Sequence, residues 1–126
     1  MKQNQFHAKR IGAEAEDRAC AWLEQQGLIL LARNFESRHG EIDLIMREQN
    51  ILIFVEVRFR SELAWATGRE SVDLKKRKRI VACAKFYLLQ CPELARLSCR
   101  FDVLALGAGT ESKHDWIRNA FGDGWW

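Results

Sequence analysis

The stretch GEIDLIMREQNILIFVEVRFR, residues 40–60, decides how this chain folds. It holds two β-rich runs, EIDLIM at 41–46 and ILIFVEVRFR at 51–60, with REQN between them. Two such runs split by a four-residue polar loop predict an antiparallel hairpin. Side chains alternate across a strand. In the first run Ile42, Leu44 and Met46 then share one face, and Glu41, Asp43 and Ile45 the other. In the second, Ile51, Ile53, Val55, Val57 and Phe59 share a wholly apolar face. The opposite face carries Leu52, Phe54, Glu56, Arg58 and Arg60, so it begins apolar and ends charged. That face is expected to be buried at one end and to open into a cleft at the other.

Upstream of the hairpin, residues from about 6 to 26 predict a helix, rich in Ala, Glu, Arg, Leu and Gln and free of proline. Gly27 is its expected stop. Gly12, Ala15, Ala19, Trp22 and Leu23 form its apolar stripe, and Glu16 falls on the same stripe. LILLARNF at 28–35 reads as a strand and SRHG at 37–40 as a turn. Downstream, SELAWATGRE at 61–70 reads as a loop, and a helix follows over about 72–90 with Ser71 or Asp73 as N-cap. Its stripe is Ile80, Cys83, Ala84, Tyr87 and Leu88, and Pro92 ends the pattern. CRFDVLAL at 99–106 is another strand. WIRNAF at 116–121 reads as a last short strand, or as the start of a tail over about 117–126. This order predicts an α/β domain, a mixed sheet flanked by helices.

The 126 residues suffice for one domain, 1–126, with a real core. No apolar run approaches the roughly 20 residues that cross a bilayer. The polar, basic start is not followed by a signal-peptide core, so a cytoplasmic protein is expected. Four cysteines form no CxxC pair and the three histidines lie far from them. That argues against zinc and for free thiols in a reducing compartment. The net charge of +3 is unevenly spread: KKRKR occupies 75–79, preceded by Arg58, Arg60 and Arg69. Such a block meets phosphates, or it is only a solvated helix face.

The chemistry sits on Asp43 and Glu56, one on each arm of the hairpin. Two carboxylates brought close in a partly dry site raise each other's pKa. A shared proton, a salt bridge or a hard cation relieves them, and Mg²⁺ is often held by two carboxylates plus waters and a substrate phosphate. Arg58 points the same way and can pair with the acids or hold a phosphate. The bland alternative is a structural salt-bridge cluster. His39 and His114 are weaker candidates, each alone in a loop. Trp116, Trp125 and Trp126 can stack on bases, or pack in a core or against a partner. No P-loop, GxGxxG or Ser/His/Asp order is present.

GAEAEDRACAWL, GLILLARN, GEIDLI, FVEVRFR, a lysine-bearing helix and RFDV follow one another in that order. Over roughly residues 10–121 this resembles the YraN-like family of small bacterial proteins. That family is similar to the restriction-endonuclease-like nucleases, Holliday-junction resolvases among them. Their shared motif is an acid on one strand, (Asp/Glu)-x-Lys on the next, and an extra Glu from the first helix. The resemblance implies a restriction-endonuclease-like core with Asp43 as the first acid, Glu56 as the second and Glu16 as the helix acid. Val57 would lend its carbonyl to Mg²⁺ or Mn²⁺. Arg58 stands where the nucleases carry lysine. Arginine cannot act as a base, although it stabilises charge on a phosphorane. Lys76 matches a family lysine and is the candidate to act in its place, and Arg60 matches an arginine that would contact phosphate. Lys75, Arg77 and Arg79 are the other expected nucleic-acid contacts. The resemblance implies a metal-dependent endonuclease that hydrolyses phosphodiesters in DNA, branched or junction DNA included. It also implies a homodimer, by the analogy that a junction has two strands to cut. Two rivals stay open: a catalytically degenerate nucleic-acid-binding module, and a scaffold that binds another protein through its tail.

Overall fold

The computed structural model of the protein describes residues 2–60, 73–107 and 114–121. Its elements are α1 (Lys2–Gln25), β1 (Ile29–Ser37), β2 (Gly40–Glu48), β3 (Ile51–Arg60), α2 (Leu74–Gln90), β4 (Ser98–Gly107) and β5 (His114–Phe121), with a 3-10 turn at Pro92–Leu94. The five strands form one sheet in the order β1-β2-β3-β4-β5. Only β3 and β4 run parallel, and the other neighbours are antiparallel. A parallel pair needs a crossover, and α2 supplies it.

The sheet is buried on both faces. On one, Ala15, Ala19, Cys20 and Leu23 of α1 pack against Leu44, Met46, Ile53, Val55, Leu104 and Leu106. On the other, Ile80, Val81, Cys83, Ala84 and Tyr87 of α2 pack against Ile42, Ile45, Leu52, Phe54, Phe101 and Val103. The result is the expected mixed sheet flanked by helices, consistent with a restriction-endonuclease-like core.

Local chemistry sets the helix ends. Gly27 takes φ 101°, a left-handed value that favours glycine. Gly27 N–H donates to Glu24 O at 3.0 Å and Leu28 N–H to Leu23 O at 3.1 Å, which closes α1 with a Schellman cap. Of the two expected N-caps, Asp73 caps α2, its carboxylate accepting from Lys76 N–H at 2.8 Å. Ser71 and the expected loop at 61–70 lie outside the described residues.

The hairpin corrects two expectations. Arg47 and Glu48 stay in β2, and Glu48 pairs with Ile51, so the loop is Gln49 and Asn50 rather than four residues. Gln49 adopts φ 52°, and its carbonyl accepts from Arg47 Nε at 2.7 Å. The faces of β2 also differ. Leu44 and Met46 share the α1 side as expected, but Ile42 packs with Ile45 on the α2 side. Strict alternation breaks at Asp43, where the β2–β3 register ends with Leu44 opposite Val55. The faces of β3 are as expected, with Ile53 and Val55 toward α1 and Leu52 and Phe54 toward α2.

The expected turn at 37–40 narrows to Arg38 and His39 between β1 and β2. Residues 117–121 belong to β5 rather than to a tail, while Trp125 and Trp126 lie outside the described residues. All four cysteines are free thiols. Among the described residues no helix is long and apolar enough to cross a membrane.

Candidate active-site cleft

A cleft of about 250 Å³ opens where β2 parts from β3 and the first turns of α2 cover the gap. Gly40, Glu41, Asp43, Glu56, Lys76, Arg79 and Ile80 line it. Its geometry starts from the end of a ladder. Beyond Leu44 and Val55 the strands no longer pair, and the Val57 N–H instead donates to Asp43 Oδ2 at 2.8 Å. A buried backbone N–H needs a partner, and here a side chain replaces the neighbouring strand. The bond fixes the Asp43 carboxylate beside the charged end of β3.

Glu56 follows Phe54 on the α2 face of β3 and is only 6% exposed. Lys76 Nζ lies 3.1 Å from Glu56 Oε1. Arg58 Nε lies 3.8 Å from the same oxygen. Burial first, and the charge of Glu56 next, push the Asp43 carboxyl from its ordinary 3.8 up to about 8. The Val57 N–H works against that rise, and Glu16 adds to it.

Glu16 comes from the other layer. Its side chain is 16% exposed, with Oε1 3.8 Å from Arg33 Nη2. Burial raises its carboxyl above the ordinary carboxylate range, a hydrogen bond with Asn34 opposes this, and Glu41 and Glu56 add to the rise. Glu16 thus acts on Asp43 through its charge from the α1 layer.

Glu41 belongs to the cleft and was given no role by sequence reasoning. Burial, then Glu36 and Glu56, raise its carboxyl, while Lys76 lowers it. The signal was its spacing of two residues before Asp43. Gly40 is favoured by its backbone, which takes φ +147°; a Cβ there would meet Arg79 Cβ only at an ordinary 3.6 Å.

The basic block divides around its helix, since successive residues point about 100° apart. Lys76 and Arg79 line the cleft. Lys75 is exposed. Arg77 turns the other way, its guanidinium 5.7 Å from the ring centroid of Phe121. Arg60 ends β3 and its side chain lies outside the described ones. His39 meets Phe86 edge-on. His114 is not in a loop: it begins β5 and stacks on Trp22 at 4.7 Å. Trp116 donates from Nε1 to Asp102 Oδ2 at 2.8 Å, and Arg118 covers its ring at 3.9 Å, so it packs rather than waits for a base.

Asp102 is the other acid that sequence reasoning passed over. It is fully buried and accepts from Arg100, Trp116 and the Asn119 N–H. Its partners lie on β4 and β5, so its role is to fasten that edge of the sheet. An acid inside the apolar run FDVLAL was the available signal.

Among the described residues no three His, Cys, Asp or Glu side chains converge as a metal cage. Mg²⁺ does not require one, because it usually keeps several waters and takes one or two carboxylates plus a substrate phosphate. Asp43 and Glu56 supply that hard, oxygen donor set, and a cation would favour the ionised Asp43 carboxyl that burial first and Glu56 second disfavour.

Fold and cleft together define a small mixed α/β domain with paired carboxylates at a parted hairpin, under a basic helix. Residues 15–106 match the profile described as Uncharacterised protein family UPF0102. The chain belongs to that family, the YraN-like family to which its motifs point. It is 42% identical over 113 residues to a UPF0102 protein of Pseudomonas aeruginosa (strain LESB58), covering 87% of this chain and 90% of the relative. It is 47% identical over 110 residues to a UPF0102 protein of Saccharophagus degradans, covering 87% and 91%. A UPF0102 protein of Xanthomonas campestris pv. campestris is 46% identical over 110 residues, covering 87% and 89%.

Proposed function

We propose that this protein is a metal-dependent endonuclease that hydrolyses phosphodiester bonds in DNA. The observation that carries the reading is one cleft holding the Asp43 and Glu56 carboxylates with Lys76 Nζ 3.1 Å from Glu56. Asp43, Glu56 and the Val57 carbonyl would hold Mg²⁺ or Mn²⁺. When bound, the cation polarises the phosphate and lowers the pKa of the attacking water. Hydrolysis forms one bond from water oxygen to phosphorus and breaks one ester P–O bond, and the departing alcohol takes up a proton. Lys76 offsets negative charge as the phosphorane forms. It takes the place of the motif lysine, a place that Arg58 fills with charge alone. Arg79 and Lys75 hold the flanking backbone.

Cleavage is the test. Four-way junction, flap, duplex and single-stranded DNA would be incubated with the protein in Mg²⁺ or Mn²⁺, beside Asp43→Ala. Cutting by the unaltered protein alone is expected, and no cutting of any substrate refutes the reading. Sedimentation of the protein on junction DNA tests the dimer that symmetric junction cutting requires.

One observation favours a second reading. Glu56 already has Lys76 at 3.1 Å and Arg58 at 3.8 Å. An acid so neutralised suits a degenerate module that binds nucleic acid without cutting it. Such a module keeps its affinity in EDTA and loses it steeply with salt.

A further inference from the structure

We infer that the β1–β2 turn and α2 form a stacking platform for an unpaired base beside the cleft, so that the substrate carries a single-stranded segment there. The inference rests on the nuclease reading and specifies its substrate.

His39, in the turn, meets Phe86 of α2 with ring centroids 6.4 Å apart at 61°. Phe35 backs Phe86 at 6.2 Å. His39 and Phe86 are both half-buried. In an edge-on pair, one ring presents its rim and keeps its own faces for another partner. The Trp22 and Trp116 cluster differs, because His114 is stacked on one ring and Arg118 covers the other.

The platform is held in place. Ser37 Oγ donates to Cys83 Sγ at 3.2 Å, and His39 N–H donates to Ser37 Oγ at 3.1 Å. Cys83 Sγ in turn donates to Gly40 O at 3.5 Å. These bonds pin the turn to α2. A base that stacks here meets a prepared surface, with little ordering left to do.

Its position continues the cleft. Gly40, next to His39, lines the cleft with Arg79. Phe86 lies seven residues after Arg79, two turns and about 10 Å along the helix. Lys78 and Lys85 of α2 and Arg38 of the turn are exposed on the same two elements. Cations that track a backbone, interleaved with aromatic rings, are what single-stranded nucleic acid recognises. A duplex keeps its base faces inside its own stack and gains nothing from the rings.

The test is fluorescence anisotropy in EDTA, with a labelled single strand and a duplex of equal length. The unaltered protein is expected to prefer the single strand. His39→Ala and Phe86→Leu are expected to weaken single-strand binding by roughly 5- to 50-fold and to leave duplex binding unchanged. Phe86→Leu keeps apolar contact with Phe35, and His39→Ala removes only a turn side chain, so at least one variant retains the fold, as thermal melts would verify. A 2-aminopurine base in the strand should be quenched by the unaltered protein and less by either variant. Equal affinity for both DNAs, with both variants like the parent, overturns the platform and leaves the nuclease reading standing. Binding to neither DNA overturns the platform, and the cleavage assay in Mg²⁺ then decides the nuclease reading on its own.

Discussion

At Asp43 one carboxyl carries two consequences. Its pKa is raised from 3.8 to about 8, by burial first and by Glu56 second. The unfolded chain releases this proton near pH 4 and the folded chain near pH 8. Between those values the folded state binds the extra proton, so its stabilising effect is complete below about pH 4 and is lost as pH rises toward 8. Asp43→Asn keeps an acceptor for the Val57 N–H and removes the titration. In EDTA at pH 8.5 the variant should be more stable than its parent by roughly 2–4 kcal/mol, with the gap closing toward pH 4. Urea denaturation at the two pH values measures it. Mg²⁺ should then raise the stability of the parent at pH 8.5 and leave Asp43→Asn unmoved. Lys76 supplies a second prediction: Lys76→Met should lower the cleavage rate about 10²- to 10³-fold while the protein stays folded, read by single-turnover assays. An equal effect from Arg58→Met alone would move the catalytic charge to Arg58. Asp43 and Glu56 were legible in the sequence because each interrupts an apolar strand. Glu16 stood out as an acid on an apolar stripe, but only the family motif tied it to these two, since a helical stripe does not say which strand it will face.

The elements show why the boundaries were harder to read than the faces. Arg47 and Glu48 are polar, so by composition they belong to a loop; the ladder keeps them because Glu48 opposite Ile51 completes the register. Ile42 breaks the alternation because β2 leaves β3 there, and no single-strand pattern reveals a departure between two strands. The helix ends, by contrast, were legible, since Gly27 and Asp73 act on neighbours within a few residues. Asp73 both starts α2 and places Lys76, whose N–H it accepts. Asp73→Ala should cost about 1 kcal/mol and lower the thermal midpoint by roughly 3–5 °C. Its effect on cleavage should track the lost folded fraction, unless the cap also sets the reach of Lys76 into the cleft. Comparing cleavage well below the midpoint separates the two.

Across the whole molecule, the proposed site at the β2–β3 end and the Asp102 hub at the β4–β5 edge lie on different parts of the sheet. The sheet is apolar on both faces, which made the α/β layering legible from the strand runs alone. The hub was not, because its partners Arg100, Trp116 and Asn119 come from two strands whose pairing the sequence does not state. Arg100 bonds the buried carboxylate through Nε at 3.0 Å and Nη2 at 3.1 Å, while Trp116 Nε1 and the Asn119 N–H complete it. Removing one member of such a set leaves the others desolvated and unmatched, a cost of roughly 3–5 kcal/mol. Asp102→Ala should therefore shift the urea midpoint strongly, and Asp102→Asn less, since the amide oxygen still accepts. Neither substitution touches a cleft residue, so the folded fraction at low temperature should bind single-stranded DNA within about two-fold of its parent, a difference of only ~0.4 kcal/mol. Affinity that falls further than the folded fraction would mean that β5 transmits strain through β4 to Glu56, and that the two halves of the sheet act as one unit.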